Sequence, residues 1–62
     1  MSRFVIFKDD QGEFRWRFLA ANHKVIAVAS ESYVSKSDCE HGIELIKKNS
    51  VEAPVQDETA TS

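Results

Sequence analysis

The chain is poor in the residues that usually mark chemistry. It has one cysteine, one proline and two glycines among 62 residues. A single cysteine cannot close an internal disulfide, and the clustered spacing of a zinc site is missing. Two well-separated glycines leave no glycine-rich phosphate cradle, and there is no nucleophile elbow. The longest apolar run is a few residues, far too short for a membrane helix, so no membrane contact is expected. Met1-Ser2-Arg3 leads straight into an alternating segment rather than the apolar stretch of a secretory signal. With the lone cysteine, this gives the expectation of a cytoplasmic protein. The formal net charge of −2 offers no general attraction to polyanions, so nucleic acid is not an expected partner. No cofactor, metal or catalytic group is expected, and the chain reads as a non-enzyme.

What the chain does have is an aromatic row. In Gly12-Glu13-Phe14-Arg15-Trp16-Arg17-Phe18-Leu19-Ala20-Ala21-Asn22, strand periodicity puts Phe14, Trp16, Phe18 and Ala20 on one face. Arg15, Arg17 and Leu19 fall on the other. Three of the six aromatic residues thus stand in line, whereas helical spacing would scatter them around an axis. The rest of the chain has to cover that row. Phe4-Val5-Ile6-Phe7-Lys8 predicts a strand before it, apolar on both faces. Asp9-Asp10-Gln11-Gly12 predicts the hairpin loop between the two. Asn22-His23 suits a tight turn, and Val25-Ile26-Ala27-Val28-Ala29 a third strand, giving an antiparallel meander.

Ser30-Glu31-Ser32-Tyr33-Val34 leaves the sheet for a helix. Either Ser35, with Asp38 three residues on, or Ser37, with Glu40, can cap it. Cys39, Gly42, Ile43 and Ile46 recur at i, i+3, i+4 and i+7, one stripe to lay on the aromatic row. Gly42 costs about 1 kcal/mol against alanine in a helix, which points to close approach to the large rings. Lys47, Lys48 and Asn49 suit the helix end. The division expected is a β-β-β-α core over 1–50, a strand or dimerisation segment over 51–57, and a disordered tail over 58–62. In the second part Val51, Ala53 and Val55 alternate, and Pro54 restricts such a strand to a sheet edge.

A chain this small is short of core. Folding should bury on the order of 6,000 Å², yielding about 80–90 kcal/mol at ~25 cal/mol/Å² of apolar area. Ordering the chain costs roughly 75–90 kcal/mol. The near cancellation points to self-association.

Phe4-x-Ile6-x-Lys8-Asp9, Phe14-Arg15-Trp16-x-Phe18-x-Ala20-x-Asn22, Ser30-Glu31-x-Tyr33-x-Ser35-Lys36 and Gly42-Ile43-x-x-Ile46 together resemble the YegP-like family. These are small bacterial proteins of uncharacterised function, and the resemblance covers residues 4–50. One departure is an interval from Asn22 to Tyr33 that is a residue longer than usual, which a β-bulge in the third strand would absorb. The resemblance implies an α+β fold, a β-β-β-α-β unit whose last strand crosses into a partner's part of a shared sheet. With one unit in the chain, it implies a homodimer with exchanged C-terminal strands, completed by Val51, Ala53, Pro54 and Val55. It brings no activity, cofactor or catalytic residue.

Other residues have both a plain and a sharp reading. Cys39 and His41, two apart on a helix, project about 200° from each other and do not chelate one ion. Cys39 reads as a small buried hydrophobe, and His23 and His41 as solvent-facing. Asp9, Asp10 and Glu13 read as a solvated turn. Ser35-Lys36 at the helix start, and Arg15 and Arg17 on the sheet, are the candidate contacts for an anion or a single-stranded nucleic acid. Two function classes follow. The first is a homodimeric interaction or accessory module without enzymatic activity. The alternative is weak binding of RNA, single-stranded DNA or another anion through the Arg15/Arg17 face and Ser35-Lys36.

Overall fold

The computed structural model describes residues 1–59. Its elements are β1 (Arg3–Lys8), β2 (Phe14–Leu19), β3 (Val25–Val28) and α1 (Lys36–Asn49). The strands form one antiparallel sheet in the order β1-β2-β3, and α1 lies across one face.

Local chemistry sets each connection. In the first hairpin the Asp9 carboxylate accepts from the backbone N–H groups of Gln11 and Glu13 at 2.9 and 3.0 Å. Gly12 takes φ +77° there, a conformation that a side chain resists. The second turn closes with Ala20 N–H on the Lys24 carbonyl at 2.8 Å, and His23 takes φ 70°. Asn22 Oδ1 accepts from Lys24 N–H. A bulge follows: Phe18 pairs with Ala27 but Leu19 with Val25, leaving Ile26 as the extra residue. It sits in the third strand, where the longer Asn22–Tyr33 interval called for one. Ser35 is the helix cap, its hydroxyl accepting from Asp38 N–H at 3.2 Å. Ser37 lies inside the helix, with its Oγ beside that of Ser35.

The helix stripe meets the aromatic row. Trp16, Ala29, Cys39 and Ile43 form the buried core, with Phe4, Ile6, Phe14, Phe18 and Tyr33 packed around them. Phe4 stands edge-on to Trp16 at 5.5 Å between ring centroids and lies 4.6 Å from Phe18. Cover is incomplete at the end of the stripe, where Ile46 remains 37% exposed. β1 packs on the core through Phe4 and Ile6, and Val5 and Phe7 on its other face are half-buried as well.

One expectation is corrected. Gly42 makes room for Tyr33, not for the rings of the β2 row. A Cβ at Gly42 would stand 2.8 Å from the Tyr33 hydroxyl and 3.3 Å from Cζ. Tyr33 is itself pinned by two backbone hydrogen bonds to Phe14, at 2.7 and 2.8 Å. The C-terminal strand is expected in a dimer; in the single chain residues 51–59 belong to no strand, and Val51 and Val55 are 84% and 94% exposed. Of the tail expected to be disordered, residues 60–62 lie outside the described residues. Thr59 is held locally, donating its N–H and hydroxyl to the Asp57 carboxylate at 2.9 and 2.6 Å.

Trp16→Ala should cost about 3–5 kcal/mol, as large-to-small changes in a core do, and denaturant titration measures it. A water-exposed native Trp16 emission spectrum would contradict the burial. Gly42→Ala should cost less in a Tyr33→Phe background than in the parent, because the nearest atom is then gone. A double-mutant cycle reads that coupling.

Candidate functional site

The two faces of the sheet differ in chemistry. Residues paired across antiparallel strands share a face, and the pairs Val5–Arg17, Phe7–Arg15, Arg17–Val28 and Leu19–Val25 define the side without the helix. No second layer covers it. It carries aliphatic groups and arginines, and none of its strand residues is acidic. Both central arginines are already engaged. Arg15 donates from Nη2 to the Ala29 carbonyl at 2.7 Å, and the Arg17 guanidinium lies 4.2 Å from the Phe7 ring centroid. Each is half-buried. Arg3 Nη2 lies 3.2 Å from His23 Nδ1, a contact in which the guanidinium can only donate.

The other two predicted contacts lie elsewhere. Lys36 begins α1 and borders a groove along β1 with Phe4, Ile6, Phe7, Lys8, Phe14 and Glu40. Ser35 beside it is occupied with capping. The sheet therefore separates Arg15 and Arg17 from Ser35 and Lys36, and the four residues do not form one surface. Arg15 borders Asp9, Asp10 and Gln11 of the first hairpin, without an ion pair to either aspartate among the described residues. Among the described residues the ion pair found is Lys47–Glu44 at 3.8 Å, on the exposed side of α1, where such pairs contribute little. Glu13 instead accepts a hydrogen bond from the Ser32 hydroxyl, tying the hairpin loop to the β3–α1 connection.

A feature that sequence reasoning missed is an apolar groove under the C-terminal end of α1. Phe4, Trp16, Phe18, Ala27 and Ile46 line about 410 Å³, with Lys47 at the rim. Its signals were present: Ala27 is too small to fill the space opposite Phe18, and Ile46 ends the stripe beyond the last ring it can cover. Trp16 Nε1 is buried without a hydrogen-bond partner among the described residues. The groove lies beside β3, whose outer edge is unpaired and whose Val25, Ile26 and Val28 are 54%, 60% and 57% exposed.

Cys39 is fully buried while His41, two residues on, is exposed, as their angular separation requires. Among the described residues no three His, Cys, Asp or Glu side chains gather as a metal site. No described helix is long and apolar enough to cross a membrane. Burial pushes the Cys39 thiol above its ordinary range, and the neighbouring Glu40 charge adds to the shift. An unfolded thiol ionises near pH ~8.5. Above that pH the unfolded chain binds fewer protons than the folded one, so stability falls as pH rises towards the folded value. Urea titrations from about pH 8 to 9.5 should show this decline, and Cys39→Ala should flatten it while lowering stability at neutral pH.

Comparison with known proteins places the chain. Residues 9–57 match the family described as "Domain of unknown function (DUF1508)", a match that continues past α1 into the C-terminal segment. The UPF0339 protein NMB1088 of Neisseria meningitidis serogroup B is 46% identical over 54 residues, covering 87% of this chain and 95% of that protein. The UPF0339 protein Atu5359 of Agrobacterium fabrum is 44% identical over 62 residues, covering 100% and 98%. Among solved structures, the solution structure of a Haloferax volcanii protein superposes with TM-score 0.83 at 34% identity, covering 90% of this chain and 93% of that one. That of ATU0232 from Agrobacterium tumefaciens gives 0.77 at 37%, covering 100% and 98%. Three antiparallel strands with one helix, together with relatives that match nearly end to end, show that the chain belongs to the UPF0339/DUF1508 family, the YegP-like proteins of unknown function that its motifs resembled.

Proposed function

We propose that the protein is a homodimeric interaction module without enzymatic activity, in which each C-terminal segment adds as a strand to the other copy's sheet. Val51, Ala53, Pro54 and Val55 are the exchanged contacts. The observation that carries this reading is the open β3 edge with its exposed Val25, Ile26 and Val28, in a chain whose C-terminal segment is exposed too and belongs to no strand among the described residues. An unpaired edge invites another strand, and β3 is the better acceptor because all four of its residues are exposed, whereas the inner residues of β1 are half-buried. Pro54 lacks one donor, which an edge strand tolerates. The family match reaching Asp57 adds support, since it takes in the segment together with the core. The dimer's partners beyond itself would be proteins that dock on its surface. Binding of RNA, single-stranded DNA or another anion loses ground, because Arg15 and Arg17 are engaged within the fold and lie across the sheet from Ser35 and Lys36.

Sedimentation equilibrium should find a dimer at roughly tens of micromolar, with a melting temperature that rises with concentration because dissociation and unfolding are linked. Deleting residues 51–62 should give a less stable monomer or an aggregate. A folded monomer with the same melting temperature after the deletion would sink the proposal.

A further inference from the structure

We infer that the exchanged segment is held in one orientation, with Val51, Ala53 and Val55 seated in the apolar groove of the other copy and Glu52 set against its arginine face. This rests on the strand exchange proposed above and says which side chain goes to which face.

A strand added beside β3 presents alternate residues to the two sides of the sheet. Those sides are unlike. The helix side offers the groove between Phe18, Ala27 and Ile46. The other side offers Arg15, which borders Asp9 and Asp10 at the hairpin end, and Arg17, and the paired strand residues around them are not acidic. The segment divides in the same way: Val51, Ala53 and Val55 form an apolar row, and Glu52, Pro54 and Gln56 the row between them. A slip by one residue would bury Glu52 among aromatic rings and put both valines among arginines. Arg15 is suited to the contact because it already leans over β3 to reach the Ala29 carbonyl. Its guanidinium has five N–H donors, so capacity remains for a carboxylate. The added strand would lie about 10 Å from β2, within joint reach of an arginine and a glutamate. The subunit does not fill its own groove with this row, as the exposure of Val51 and Val55 shows. In a two-fold dimer each contact occurs twice, so a single substitution acts at two places.

The test is the dimer dissociation constant of the full chain by sedimentation equilibrium. At about 50 mM salt, Glu52→Arg should weaken the dimer about tenfold, and the loss should shrink near ~0.5 M salt, where surface charges are screened. Adding Arg15→Glu to Glu52→Arg should restore affinity to within about threefold of the parent. Val55→Asp should weaken the dimer by about a hundredfold or more at either salt, because it puts a carboxylate in an apolar groove. Glu52 and Val55 lie outside the strands and helix, and native Trp16 fluorescence checks that each subunit stays folded. Suppose deletion of residues 51–62 abolishes the dimer while Glu52→Arg leaves affinity unchanged: the orientation is then wrong and the exchange stands. A dimer that survives the deletion removes both. Salt-sensitive retention of the parent on immobilised single-stranded DNA, lost in Arg15→Glu with Glu52 intact, would assign the arginine face to nucleic acid and overturn the inference.

Discussion

The fold depends on the contact between one helix stripe and one aromatic row. Trp16 lies against Cys39 and Ile43, and the rings on either side of it are too large for three strands to enclose alone. Gly42 lets α1 come close, with Tyr33 filling the space that a side chain would take. Tyr33 is fixed in turn by its hydrogen bonds to Phe14, the first residue of the row. Helix, connection and central strand are therefore locked by one set of neighbours. A single helix of 14 residues covers one face of such a sheet and no more.

The open features follow from that limit. The face away from the helix has no second layer, so its apolar groups are shielded from within it: Arg17 lies over Phe7, and Arg15 spans to β3. Arginine suits this position because its stem covers apolar surface while its head finds an acceptor or a ring. The remaining exposure collects at β3, which is four residues long and bulged. The groove under Ile46 has the same origin, since α1 ends before it has covered Phe18. Surfaces of this kind suit association. They offer shape, an unpaired backbone edge and two faces of contrasting polarity.

Much of the architecture could be read from the chain because short-range physics dictates it. Period-two aromatics placed β2 and its faces, Gly12 and Asn22-His23 placed the turns, and the Cys39–Ile46 stripe placed the helix and its inner side. The extra residue before Tyr33 marked a bulge, found at Ile26. The helix start was readable only to a choice of two serines, because Ser35 and Ser37 each had an acid three residues on and the angle at which the chain enters α1 selects between them.

What the sequence by itself determined was the three strands, the helix and their faces, since these depend on neighbours within a few positions. Tertiary structure decided everything that depends on distance through space. It gave Gly42 to Tyr33, put Arg15 on the Ala29 carbonyl, set Ser35 and Lys36 across the sheet from the arginines, and opened a groove beside Ala27. Strand alternation assigns Arg15 a face but not an acceptor, because the acceptor lies 14 residues away and is brought near only when β3 folds back on β2. The segment after α1 marks the same boundary: its alternation is written in the sequence, but a strand needs a neighbour, and among the described residues it is paired into no sheet.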